Sequence, residues 1–452
     1  MVSVSGVRGI VGRSMTPELV LRYAQAFGVL QGRGAVIVAR DTRPSGVLYR
    51  DAAAAGLAAV GCRVVDIGIT PTPTALGSVL TAGACGGIII TASHNPSPWN
   101  GLKFVGPEGS FLTGPQMTRL SARVAAAASL VPWNTIQLAV QEPHAIAQHI
   151  ARILKAVDAA AIRRRRFTVA LDSCNGAGAV AAPALLKTLG CRVIGIHVTP
   201  DGDFPRGPEP TPKNLAALSR AVRRSRAAIG FAQDPDADRL SLVDEQGRPL
   251  SEELTLALAI QHRLRQLEAA PRPSGQRLRQ RRGPVVVNLS TSRMIDDVAS
   301  AAGVRVARTP VGEVHVVQRM RAAGAVIGGE GNGGVIDPRI TWGRDSLAGM
   351  ALVLEALANT DRPLSVLATP LARWVMVKRS IAWSPARTAK ALAGLKRRFP
   401  GGRMTGGDGV RVDVADGWVH VRPSNTEPVV RVFAEAATEP VAEALYRQAV
   451  GA

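Results

Sequence analysis

Short apolar runs, each ending in a polar turn and leading into a helical pattern, recur along the chain. Gly34-Ala35-Val36-Ile37-Val38-Ala39 runs into Arg40-Asp41-Thr42-Arg43-Pro44-Ser45, and the alanine-rich stretch from Asp51 to Val60 reads as a helix. Val64-Val65-Asp66-Ile67-Gly68-Ile69 predicts the next strand, with Thr-Pro turn chemistry at Thr70 to Thr74. Gly86-Gly87-Ile88-Ile89-Ile90 then delivers the chain to Thr91-Ala92-Ser93-His94-Asn95-Pro96. Runs of this length alternating with helices predict a mainly parallel α/β sheet.

The rhythm restarts after Arg166, where Phe167-Thr168-Val169-Ala170-Leu171 leads into Asp172-Ser173-Cys174-Asn175-Gly176, and Ala227-Ala228-Ile229-Gly230-Phe231-Ala232 leads into Gln233-Asp234. A third round runs from Val285-Val286-Val287-Asn288 to Ala325-Val326-Ile327-Gly328-Gly329-Glu330. The tail differs: Val410 to Val414 and Trp418 to Val421 alternate as antiparallel strands do. The pattern predicts three similar mixed α/β domains plus a smaller C-terminal α+β domain, at residues 1–145, 146–250, 251–368 and 369–452. The turn-rich, charged segment from Pro271 to Arg282 reads as a surface loop inside the third.

A length of 452 residues agrees with several domains, since single cores stop growing well below that size. No run of 18 apolar residues occurs, and the start at Met1 lacks a charged segment followed by an apolar one. A soluble cytoplasmic protein without a membrane partner is expected. Cys62, Cys85, Cys174 and Cys191 stand far apart with no CxxC pair, a pattern of reduced structural thiols. The net charge of +21 raises the question of nucleic acid, yet aromatics make up 4% and no helix-turn-helix or zinc-finger spacing appears, so no nucleic-acid partner is expected. The excess lies in clusters at Arg163 to Arg166, Arg223 to Arg226 and Arg277 to Arg282. They read as solvated faces whose field would also attract small dianions.

The polar clusters that carry chemistry lie after predicted strands, where open α/β sheets bind ligands. Asp234-Pro235-Asp236-Ala237-Asp238-Arg239 sets three carboxylates at alternate positions, a donor set suited to Mg²⁺. A calcium EF-hand loop competes, with Glu245 at its twelfth position. It fails because Arg239 takes the place of the required glycine and Leu240-Ser241-Leu242-Val243 alternates as a strand. Ser93 is a candidate nucleophile, expected to be exposed in a rigid turn after a buried strand; His94 beside it suggests a hydrolase pair, but adjacent residues rarely face one another and no GxSxG elbow is present. Lys103, in Asn100-Gly101-Leu102-Lys103-Phe104, could reach a phosphate. Arg422-Pro423-Ser424-Asn425-Thr426-Glu427-Pro428, with Arg431 beyond, suits a phosphate dianion, although an ordinary proline-flanked turn would look similar. Gly329-Glu330-Gly331-Asn332-Gly333-Gly334 is a glycine loop whose Glu330 and Asn332 could bind sugar hydroxyls. It lacks the lysine of a nucleotide P-loop.

In this order, and joined by Ser5-Gly6-Val7-Arg8-Gly9, these segments resemble the α-D-phosphohexomutase superfamily over nearly the whole chain. The resemblance implies four domains around a central cleft. It makes Ser93 a phosphoserine, with Mg²⁺ held by Ser93, Asp234, Asp236 and Asp238. Arg8, His94, Lys103 and Arg239 would serve the transferring phosphoryl group. Glu330 and Asn332 would hold the sugar, and Arg422, Ser424, Asn425, Thr426 and Arg431 the idle phosphate. A hexose 1,6-bisphosphate would be intermediate and activator, small hexose phosphates the partners, and the enzyme a monomer or homodimer. Many relatives end the sugar loop with Ser-Gly-His; here it is Asn332-Gly333-Gly334, which leaves His94 or Lys103 for proton handling. Asn425 stands where many carry Gly. Both variants look like the phosphoglucosamine mutase branch, and Glu313, in Thr309-Pro310-Val311-Gly312-Glu313-Val314-His315, could favour an amino sugar. Glucosamine 6-phosphate to glucosamine 1-phosphate is the expected reaction. Glucose or mannose phosphates are the near alternative, and a metal-dependent sugar-phosphate phosphatase the distant one.

Overall fold

The computed structural model describes residues 2–3, 6–126, 128–269, 283–424 and 429–451, so the expected surface loop from Pro271 to Arg282 lies outside the described residues. The chain divides into two compact units. One comprises Met1–Thr255 with Gly333–Ser365, the other Leu256–Asn332 with Val366–Ala452.

The first unit holds two sheets. The larger has strands in the order Val2–Ser3, Gly6–Ile10, Trp99–Val105, Gly86–Ile90, Ala35–Arg40, Arg63–Ile69 and Val140–Gln141. Its last four strands run parallel, as the apolar runs predict. Trp99–Val105 is antiparallel to Gly86–Ile90 and sets Lys103 opposite Ile89. Both faces of this sheet are covered. Val36, Val38, Ile88 and Ile90 pack against Phe27, Tyr49 and Phe104 on one side, while Ile37, Ala39 and Ile89 meet Leu76 and Val79 on the other. Gly86–Ile90 is accordingly buried at all its residues, as expected of a strand that is apolar throughout.

Helix ends follow local capping chemistry. Thr16 caps Pro17–Leu30, with proline in its first turn, and Thr113 with Gln116 forms a capping box on Gly114–Val124. The second sheet has the order Leu240–Val243, Ile229–Gln233, Thr168–Asp172, Arg192–Ile196, with Leu240–Val243 antiparallel. Leu240–Val243 being a strand removes the EF-hand reading. Helix Ser346–Thr360 packs within this unit; most of its residues are buried, and Asp345 caps it by accepting from the backbone N–H of Leu347 and Ala348. Helices Ala159–Arg165 and Ala216–Ser225 end with Arg166 (φ +47°) and Arg226 (φ +50°) in the left-handed region.

In the second unit, strand Val285–Asn288 lies between Val306–Thr309 and Ile327–Glu330, parallel to both. The tail forms an antiparallel sheet in the order Val375–Ile381, Val430–Ala436, Gly417–Pro423, Val410–Val414, Arg403–Thr405, as its alternation predicts. Helices Pro385–Arg398 and Glu439–Val450 cover its apolar face through Leu395, Leu445 and Tyr446. Among the described residues no helix is long and apolar enough to cross a membrane.

Candidate active site

Ser93 sits three residues past a buried strand, has φ +51° and is itself buried, not exposed as expected, because the turn folds back under Arg43 and Thr91. A non-glycine residue stays in that left-handed region only when its surroundings over-determine it, and here they do. Thr91 Oγ1 accepts from Ser93 N at 2.9 Å and donates to Asp41 Oδ2 at 2.6 Å. Arg43, fully buried, donates to Ser93 O at 2.9 Å and Asn95 O at 2.5 Å, and it pairs with Asp41. The serine turn is thus held by the turn that ends the neighbouring strand. Its unusual backbone also corrects one expectation: Ser93 Oγ lies 3.4 Å from His94 Nδ1, so these adjacent side chains do face one another. His94 Nδ1 is 3.1 Å from the Arg239 guanidinium, and Nε2 is 3.7 Å from Glu209. Arg8 donates to Asn95 Oδ1 at 2.9 Å, and burial pushes its guanidinium below the usual arginine range.

The three aspartates leave the carboxyl end of strand Ile229–Gln233 and are buried. Ala237 at φ +56° makes the sharp turn that brings one oxygen of each carboxylate within 4.8 Å of the others. Their outer oxygens are occupied. Lys103 Nζ lies 2.6 Å from Asp236 Oδ2 and 3.4 Å from Asp238 Oδ2. Arg344 lies 2.6 Å from Asp238 Oδ2, Thr72 Oγ1 donates to Asp236 Oδ2 at 2.8 Å, and Asp234 Oδ1 takes two backbone N–H groups at 3.1 Å. The remaining oxygens, Asp234 Oδ2, Asp236 Oδ1 and Asp238 Oδ1, are buried without a hydrogen-bond donor. An unsatisfied buried carboxylate oxygen is costly, and three from one loop are the donor set a hard divalent cation takes. The residues fit such an ion.

Electrostatics follow from this crowding. Burial and the charges of Asp238 and Asp236 hold Asp234 well above the carboxylate range. Burial also opposes ionisation of Asp236, but Lys103 and Thr72 outweigh it and leave that carboxyl well below the range. For Lys103, burial disfavours the charge, and Asp236 with Asp238 overcome it, so the ammonium titrates above its ordinary value. A continuous set of contacts links Ser93 to the carboxylates: Ser93 to His94, His94 to Arg239, and Arg239 Nε to Asp234 Oδ2 at 3.8 Å.

In the second unit, Glu330 ends strand Ile327–Glu330, and its Oε1 accepts from Asn288 Nδ2 at 2.8 Å and Gly312 N at 3.0 Å. Asn332 Oδ1 is buried without a hydrogen-bond partner. Glu313 opens helix Glu313–Ala323 and is buried, so it is not a solvated loop acid. Arg422 and Arg431 stand directly opposite one another on paired strands, a like-charge pairing that is unfavourable without an anion or a carboxylate nearby. Asp408 supplies one, accepting from Arg422 Nε at 2.7 Å and from Val311 N at 3.0 Å. Ser424 N donates to Val429 O at 2.8 Å; Asn425 and Thr426 lie outside the described residues.

Sequence reasoning missed Asp41, Arg43, Thr72, Glu209, Arg344 and Asp408. Asp41 and Arg43 had the signal used for the others, a polar turn after a predicted strand. Arg344 had none, since its partner Asp238 is 106 positions away.

A parallel-sheet scaffold with a strained serine beside a buried three-carboxylate loop and several cations defines a phosphoryl-transfer enzyme of the α/β class. Models of the phosphoglucomutase/phosphomannomutase family match throughout: alpha/beta/alpha domain I at residues 2–130, domain II at 147–247, domain III at 242–373 and the C-terminal domain at 377–451. The chain belongs to this family, within the α-D-phosphohexomutase superfamily. It is 37% identical to a phosphoglucomutase/phosphomannomutase of Thermococcus kodakarensis, over 96% of this chain and 94% of that one. It is also 37% identical to a probable phosphoglucosamine mutase of Methanopyrus kandleri, over 96% and 93%. Among solved structures, a phosphoglucomutase/phosphomannomutase family protein of Burkholderia thailandensis superposes with a TM-score of 0.83 at 27% identity, over 99% of this chain and 96% of that one.

Proposed function

We propose that the chain interconverts glucosamine 6-phosphate and glucosamine 1-phosphate through a phosphorylated Ser93, with glucose and mannose phosphates as alternative substrates. Family membership makes it a hexose-phosphate mutase, hence an isomerase. The sugar assignment draws support from the probable phosphoglucosamine mutases among its relatives and from the buried carboxyl group of Glu313. The observation that carries the reading is the chain of contacts from Ser93 through His94 and Arg239 to Asp234, in a loop of three buried aspartates that each have an oxygen lacking a donor.

The phosphoryl group passes from Ser93 Oγ to a substrate hydroxyl: the serine P–O bond breaks, the sugar P–O bond forms, and the hydroxyl proton leaves. His94, with Nδ1 3.4 Å from Ser93 Oγ, is the side chain for that proton, because Lys103 is held as an ammonium by Asp236 and Asp238. Arg8, Lys103 and Arg239 balance charge on the moving group. Asp234, Asp236 and Asp238 would hold Mg²⁺, which supplies charge neutralisation at the phosphoryl oxygens. The resulting hexose 1,6-bisphosphate returns its other phosphoryl group to Ser93, so no phosphate is consumed. Glu330 and Asn332 would hold the sugar, while Arg422, Ser424, Asn425, Thr426 and Arg431 take the phosphate not reacting. We place the four domains at residues 1–145, 146–250, 251–368 and 369–452.

Ser93→Ala is expected to lose steady turnover and to take up no label from hexose bisphosphate labelled in its phosphate. Full turnover in that variant, or release of free phosphate as fast as isomer forms, would overturn the reading. Comparing kcat/KM for glucosamine, glucose and mannose 1-phosphates, with catalytic matching bisphosphate, tests the sugar separately.

A further inference from the structure

The arginine clusters that the sequence leaves without a task are brought together by the fold. Helices Ala159–Arg165 and Ala216–Ser225 end side by side at the amino-terminal edges of strands Thr168–Asp172 and Ile229–Gln233. There, Arg165, Arg166, Arg223 and Arg226 line one open cavity of about 540 Å³, with Glu245 at its wall. The aspartate loop leaves the opposite end of Ile229–Gln233, roughly 16 Å away at the usual rise per strand residue. The cavity is therefore separate from the catalytic residues of this unit.

One arginine at each helix end is explained by the helix dipole, which favours a cation there. Four are not. Arg165 pairs with Asp361 at 2.5 Å. Glu245 is turned away to Ser365, whose N–H donates at 3.1 Å and whose hydroxyl also donates. Burial alone would raise this carboxyl, yet those hydrogen bonds hold it below its ordinary range. Arg166 and Arg226 form no ion pair among the described residues. Counting Asp361 and Glu245 against four guanidinium groups leaves two positive charges facing one space. Backbone donors at the rim are spent, with Ala227 N on Val222 O, Ala228 N on Thr168 O, and Arg166 N and Arg226 N on the preceding helical turns. Recognition therefore falls to guanidinium groups, whose planar forks match phosphoryl oxygens two at a time. The volume lies in the range of small-ligand sites. Phe167 is buried beneath Arg165, 5.7 Å from ring to guanidinium, so no free aromatic face is offered to a base.

We propose that this cavity binds a small polyanion carrying two or more linked phosphoryl groups, held through those groups rather than through a base or sugar. It is a binding site apart from the serine and aspartate residues of this unit.

Inorganic tripolyphosphate serves as probe, titrated calorimetrically into the full-length enzyme at about 0.15 M ionic strength, without Mg²⁺ and with saturating glucose 6-phosphate in the catalytic phosphate sites. Two double variants lose equal charge from neighbouring exposed positions. Arg166→Gln with Arg226→Gln removes cavity groups, and Arg164→Gln with Arg224→Gln removes groups outside it. Affinity is expected to fall about tenfold or more in the first and to change less than about twofold in the second, with mutase turnover unchanged in both. Equal loss in the two variants would mean only a general positive field, and no binding by the unaltered enzyme would mean no site. Either result overturns the proposal. Both are independent of the Ser93 test.

Discussion

At the scale of single residues, the serine turn depends on one guanidinium. Arg43 donates to two carbonyl oxygens of the turn and pairs with Asp41, with both side chains excluded from solvent. Removing one partner of a buried ion pair leaves the other charge desolvated, a loss of about 3–5 kcal/mol. Arg43→Ala is therefore expected to lower the urea midpoint by that equivalent and to reduce kcat, because Ser93 loses the support for its left-handed backbone. Adding Asp41→Asn should recover part of the stability but not the rate. A midpoint within 1 kcal/mol (roughly) of the parent would show that the pair does not hold the turn. The sequence made Ser93, Lys103 and the three aspartates visible because each sits in a polar segment next to an apolar run. It gave Arg43 no prominence, although it lies in the same kind of turn, because its importance comes from the carbonyl groups it meets 50 and 52 positions away.

At the scale of elements, apolar runs after polar turns made the parallel strands and the antiparallel tail readable. Trp99–Val105 escaped because Asn100-Gly101 reads as a turn and Lys103 interrupts the apolar pattern. Pairing with Gly86–Ile90 and Gly6–Ile10 makes it a strand regardless. Loop-to-loop contact is equally hidden. The loop after Thr168–Asp172 touches the aspartate loop, with Ala177 N donating to Pro235 O at 2.7 Å. A Cβ on Gly176 would stand 2.4 Å from that same carbonyl oxygen and 2.6 Å from Pro235 Cα, so something must shift. Both obstacles are backbone, which cannot swing aside as a side chain can. Gly176→Ala should displace the aspartate loop by tenths of an ångström and raise the Mg²⁺ concentration for half-maximal activity by about tenfold, a cost near 1.4 kcal/mol. Its effect on KM for the hexose phosphate should be smaller, since the sugar and distal-phosphate groups proposed lie on other loops. An unchanged Mg²⁺ requirement would show that the aspartates do not depend on this contact for their placement.

At the scale of the whole molecule, acid acts on a chain that already carries a net charge of +21, so lowering the pH adds general repulsion to any local effect. The second unit contains a local one. His420 is fully buried; its Nε2 donates to Asp408 O at 2.7 Å, which leaves Nδ1 to accept from Ser290 Oγ at 2.9 Å, and the ring is neutral. Burial pushes its pKa down to about 4 from the usual 6.5, with the nearby Arg422 and Arg411 charges adding to it while Asp408 opposes. Between those values the unfolded chain binds a proton that the folded one does not, so stability rises with pH across the window. This contribution is complete above about pH 6.5 and is lost as the pH falls towards 4, up to about 3 kcal/mol. Urea unfolding at successive pH values should therefore show the unit of Leu256–Asn332 with Val366–Ala452 weakening through that window. His420→Gln, which keeps a donor and an acceptor but cannot take a charge, should flatten the slope there. Because both proteins share the same background of arginines, the difference between their slopes isolates the histidine from general repulsion. Identical slopes would mean that His420 takes up its proton without strain, and that acid unfolding comes from the net charge alone.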